Sequence, residues 1–143
     1  MEEYLTALEQ AFRDYRQEIE NYEKKRKPTD GLLGFGHSLQ DEACHEKLDE
    51  RVEKIVAEIC QLRPESEDAE RAVKLLLARE DMPAWPLAAQ YMLRALERHC
   101  LPLIPFLSSE AAAVFLKRYA AAYKPWDRLP AQKKVFKALK MRA

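Results

Sequence analysis

A chain of 143 residues with 48% hydrophobic and 34% charged side chains is long enough for one domain to bury a core without staples and too apolar for disorder. Its 24 basic and 24 acidic residues cancel, which argues against a dedicated nucleic-acid binder, a class that is usually strongly basic. No apolar run approaches the ~20 residues of a membrane span, the best stretch being Leu101 to Leu107, broken by Pro102 and Pro105.

Glycine occurs three times, and Ala, Leu, Glu, Lys and Arg dominate. These side chains lose little freedom in a helix, so the composition favours helix throughout. No stretch alternates with period two, and no sheet is predicted. The three cysteines, Cys44, Cys60 and Cys100, form no C-x-x-C pair, and Met1-Glu2-Glu3-Tyr4 does not read as a secretory leader. A reduced, cytoplasmic chain is the expectation.

In chain order, residues 3–27 read as one long helix. Leu5, Leu8, Phe12, Tyr15, Ile19 and Tyr22 recur at alternating spacings of three and four, which lines them up as a single coiled-coil-like stripe. Lys24 to Lys27 suit the negative helix end and Pro28 stops it. Residues 28–37 carry all the glycines, Gly31, Gly34 and Gly36. Ser38 then reads as an N-cap with Asp41 in a capping-box position. A second long helix, about 39–63, carries the stripe Leu48, Val52, Ile55, Ile59 and Leu62. Two helices of equal length with matching stripes predict an antiparallel hairpin over 3–63. Pro64 ends it. Ser66 reads as the cap of a third helix, 67–80, with Ala69, Ala72, Val73, Leu76 and Leu77 inward. A fourth runs from near Pro86 to Cys100, and 101–107 is an apolar, irregular, buried connector. Ser108 or Ser109 caps a fifth helix, 110–123, and a last one starts near Pro130. The expected fold is all-α, a single domain in which a long N-terminal hairpin packs with about four shorter helices.

Four constellations carry chemistry. Projecting the second stripe backwards by heptads lands on Asp41 and His45, with Cys44 beside them, so an apolar seam turns polar at the glycine loop. His37, Asp41 and His45 recur at i, i+4, i+8. With Tyr22, Ile19 and Glu18 as neighbours across the hairpin, they form a candidate small-ligand or metal site, since imidazole and carboxylate suit divalent metals and acid–base chemistry. The plainer reading has Asp41 as a cap and His45 bonded to Tyr22 or Glu18. Gly34-Phe35-Gly36 before a helix would allow backbone N–H groups to face an anion, but the G-K-[ST] ending of a P-loop is missing.

Charge is segregated. Residues 40–70 hold eleven acidic and four basic side chains, and residues 111–143 hold nine basic side chains against Asp127 alone. Lys133, Lys137 and Lys140 share a helix face that, with Lys117, Arg118, Lys124 and Trp126, is a candidate polyanion footprint. A solvated face complementing the acidic second helix is the plainer expectation. The pairs Cys44-His45 and His99-Cys100 point about 100° apart and read as buried thiols rather than paired metal ligands. No catalytic motif appears, and no cofactor is expected. The sequence predicts a non-catalytic interaction or structural module that could self-associate through the hairpin, with ligand or metal binding at the glycine loop as one alternative and polyanion binding by the last helix as the other.

Overall fold

A computed structural model describes residues 1–25, 39–77 and 87–143, with side chains throughout except for 22–25, 39–41 and 87–88. Among these residues the fold is an all-α helical bundle with no strand. Helix α1 spans Glu2–Lys25, α2 Leu39–Gln61, α3 Ser66–Leu77, α4 Leu87–Leu96, α5 Ser109–Ala122 and α6 Pro130–Arg142. Short 3₁₀ turns occupy Glu97–Cys100, Ile104–Phe106 and Pro125–Asp127. None of the described helices is long and apolar enough to cross a membrane.

The two stripes meet each other. On α1, Leu5, Leu8, Phe12, Tyr15 and Ile19 are buried; on α2, Cys44, Leu48, Val52, Ile55, Val56 and Ile59 are. Polar cross-links run antiparallel along the seam's edge. Arg51 donates to Asp14 at 2.8 Å, Lys47 to Glu18 at 3.0 Å, and the Cys44 thiol to Glu18 at 3.1 Å. The outer side of α1 is laced by i, i+4 pairs, Glu9–Arg13 and Arg16–Glu20, which support the helix by a few tenths of a kcal/mol each.

Helix α2 stops short of Leu62, which is 53% exposed rather than part of the buried stripe. The reason is local. Arg63 takes a left-handed backbone, φ 49°, immediately before Pro64. That turns the chain into α3, whose buried face is Ala69, Ala72, Val73 and Leu76. Arg71 on α3 grips Glu2 at the start of α1 through two bonds of 2.7 and 2.8 Å. Ser66 lies inside α3 instead of capping it. Its hydroxyl accepts from the Ser108 N–H at 2.8 Å and so staples the α3 start to the α5 start. Ser108 is the α5 cap, accepting from the Ala111 N–H.

The fourth helix tightens after Leu96 into the Glu97–Cys100 turn, which packs against α2, α3, α4 and α6. The following connector buries Leu103, Ile104 and Leu107. Helices α5 and α6 pack on each other, and α6 buries Gln132, Val135 and Leu139. An arginine with positive φ loses energy to Cβ crowding that glycine avoids. Arg63→Gly is therefore expected to raise stability by roughly 0.5–1 kcal/mol in urea denaturation, net of the extra freedom glycine has when unfolded.

Candidate functional site

Gly31, Gly34, Gly36 and His37 lie outside the described residues, as do the side chains of Tyr22 and Asp41. His45 is described, and its partner differs from both sequence expectations. It is 7% exposed, and its Nδ1 shares a hydrogen bond of 2.5 Å with Tyr15 Oη. The phenol donates when that nitrogen carries no proton. The rings lie 5.4 Å apart and tilted. Tyr15 sits seven residues, about two helical turns, before Tyr22, because the register set by Asp14–Arg51 brings that turn of α1 beside His45. Glu18 is held instead by Cys44 and Lys47. The Cys44 hydrogen bond, followed by that of Lys47, keeps the Glu18 carboxyl below its usual range. Among the described residues no cluster of three or more His, Cys, Asp or Glu side chains is placed to hold a metal.

His45 also faces a groove of about 320 Å³ between α2 and α4. One wall is Glu42, His45, Glu46 and Asp49, spaced i, i+3, i+4, i+7; the other is Tyr91, Met92 and Ala95, closed by Arg98. Asp49 Oδ1 accepts from Arg98 and bonds His99 Nε2, both at 2.7 Å. The groove is thus acidic on one side and aromatic and thioether-lined on the other, with one carboxylate already engaged.

Behind it lies a buried polar network that the sequence reading missed. Glu97 is 0% exposed. Its Oε2 accepts from Tyr119 Oη at 2.8 Å and Gln132 Nε2 at 2.9 Å, and its Oε1 from Tyr123 Oη at 2.9 Å. Gln132 Oε1 in turn accepts from Arg94 at 2.8 Å and from the Leu129 N–H at 3.1 Å, which caps α6. Burial, and then the adjacent carboxylate, pushes the Tyr119 phenol far above its ordinary range; the same two causes raise the Cys100 thiol. Neither ionises near neutrality, so this centre is a clasp between helices. A signal was present in the sequence: Glu97 interrupts the face of Leu93, Leu96 and Cys100.

The last helix presents Lys133, Lys137 and Lys140 to solvent, with Lys134 beside them, while Val135 and Leu139 face the core. The expected charge match with α2 does not form. Among the described residues, no ion pair joins residues 111–143 to α2. Asp127 pairs with Arg94 of α4, whereas the α2 cross-links go to α1 and to Arg98 and His99. The cause is topological, since α6 packs on α4, α5 and the Glu97–Cys100 and Ile104–Phe106 turns. Glu42, Glu46, Glu50 and Glu53 are likewise exposed on α2. Trp126, 84% exposed, stands in the turn before α6.

No protein-family model, curated protein or solved structure matches this chain.

Removing the Glu97 carboxyl leaves several buried donors without an acceptor, each costing about 1–3 kcal/mol. Glu97→Ala should therefore destabilise by about 3 kcal/mol or more in denaturant titration. Glu97→Gln, which keeps one acceptor and lets a tyrosine hydroxyl turn, should cost clearly less. Because the Glu18 and Asp14 carboxyls are held below their usual range, the stability they add is present above the ordinary carboxylate range and is lost as pH falls through their lowered values. The wild-type protein should weaken on acidification below about pH 4.5, and Glu18→Gln should flatten that part of the curve when unfolding is followed by circular dichroism.

Proposed function

We propose that the protein is a non-catalytic interaction module that recognises a charged macromolecular partner. One observation carries this reading. The chain holds opposite charges in two separate exposed stripes, acidic on α2 and basic on α6, and joins neither to the other. Exposed like-charged stripes disfavour the isolated fold and steer association with a complementary surface. That none of Cys44, Cys60 and Cys100 forms a disulfide supports a reducing compartment such as the cytoplasm.

The groove beside His45 favours a second reading, a small-ligand site. A cleft of about 320 Å³ with convergent ionisable groups and an exposed tyrosine has the makings of one. A thermal-shift screen of amines and amino acids tests it, and no shift with any of them would count against it.

For the leading reading, the immobilised protein is expected to bind at least one of itself, polyglutamate, polylysine, duplex DNA or anionic vesicles at about 50 mM salt and to release it at about 500 mM, where the screening length has shrunk to a few ångströms. Binding of none of these at low salt would remove the reading's support.

A further inference from the structure

The interaction reading leaves the partner open, and the molecule itself supplies a surface that fits one. The apolar stripe of α1 is consumed internally: Leu5, Leu8, Phe12, Tyr15 and Ile19 are all buried. Association through the N-terminal helices must then use their outward side. On α2 that side carries Glu42, Glu46, Glu50 and Glu53, at i, i+4, i+8, i+11 and exposed. They run for about 16 Å along the helix at 1.5 Å per residue. None of the four takes part in an ion pair with a described residue. Glu42 and Glu46 are also one wall of the groove whose other wall presents Tyr91, 60% exposed, and Met92.

The complement is on α6. Lys133, Lys137 and Lys140, at i, i+4, i+7, are exposed over about 10 Å, and no carboxylate among the described residues bridges them. Lys140 is held over the Phe136 ring at 5.8 Å, which fixes one end of the row. Met141, 79% exposed, follows immediately, a flexible apolar side chain suited to an irregular cleft. Within one copy the two rows lie on helices that do not pack on each other, so they cannot neutralise each other. Between two copies they can. A net charge of zero removes the long-range repulsion that would keep copies apart.

We infer that the chain associates with a second copy of itself head to tail, the Lys133–Lys137–Lys140 row of α6 docking along the Glu42–Glu46–Glu50 row of α2 and its groove. This rests on the interaction reading and names its partner. The groove takes side chains, not a helix, and Met141 is the apolar group placed to reach Tyr91 and Met92. Exposed ion pairs are individually weak, so the contact is reversible and strongly salt-dependent. Because it joins two different surfaces, it propagates unless the rotation closes.

Sedimentation velocity and light scattering on the full chain test it through charge reversal. Wild-type protein should show a concentration-dependent rise in mass at about 50 mM salt that disappears at about 500 mM. The triple variant Lys133→Glu/Lys137→Glu/Lys140→Glu and the triple variant Glu42→Lys/Glu46→Lys/Glu50→Lys should each lose self-association by about tenfold or more. All six positions are exposed, and unchanged circular dichroism confirms that both variants fold. An equimolar mixture of the two should regain association, since each now offers the other opposite charge at both contacts. A wild-type protein that stays monomeric at low salt, or a mixture that fails to regain the lost association, overturns the inference. If monomeric wild-type protein nevertheless binds anionic vesicles or DNA through the lysine row, self-association is refuted while the interaction reading stands.

Discussion

A carboxylate can leave water only when donors replace its hydration, and the Glu97 site meets that condition with three side chains from two helices far along the chain. Tyr119 and Tyr123 come from α5 and its end, and Gln132 comes from α6. The next two residues, Arg98 and His99, turn the other way and hold Asp49 of α2. Cys100 completes the turn inside the core. Four consecutive residues thus couple the N-terminal pair of helices to the C-terminal pair. The 3₁₀ tightening after Leu96 makes this possible, because a tighter turn lets neighbouring side chains serve opposite sides.

Two consequences follow for the surface. Helix α6 is fixed by its first turn, through Gln132, so its buried edge is Gln132, Val135 and Leu139 and its lysines lie on the exposed side, with Lys140 over the Phe136 ring. Helix α2 is fixed between α1 and the Arg98–His99 pair, so Glu42, Glu46, Glu50 and Glu53 face outward, the first two along the groove. The clasp therefore determines which charges remain exposed. It also keeps the acidic and basic rows on helices that do not pack on each other, which is why a chain of zero net charge carries two strongly charged faces.

The groove and the clasp share a boundary but differ in character. In the clasp, both oxygens of Glu97 are met by donors and the flanking phenol and thiol are pushed away from ionisation. In the groove, Glu42 and Glu46 are exposed, and of its three carboxylates only Asp49 forms an ion pair among the described residues. Buried, satisfied polar groups fix a fold, whereas exposed ones beside an aromatic ring are available to a partner.

Sequence periodicity by itself determined the helical class and much of the described core. A stripe such as Leu5, Leu8, Phe12, Tyr15 and Ile19 has one physical solution, burial against another apolar face, and the structure buries these five, the Tyr22 side chain at its end lying outside the described residues. Among the described ends, Pro64 follows the close of α2, Pro130 opens α6 and Ser108 caps α5. Local rules failed where a residue's partner lies far away in the chain. Leu62 fits the α2 repeat but falls beyond the helix end that Arg63 imposes. Ser66 looks like a cap but serves the Ser108 N–H, 42 residues on. His45 meets Tyr15, not Tyr22, because register between two helices is decided by the whole seam. The largest gap was Glu97. A charged residue in a helical stripe is read locally as solvent-facing, and only the convergence of α5 and α6 on it supplies the donors that let it be buried. The polar end of the seam at His45 was legible as an anomaly in the sequence. What tertiary structure added was the groove on its outer side and the separation of the two charged rows, since both depend on which helices pack together and not on the composition of any one of them.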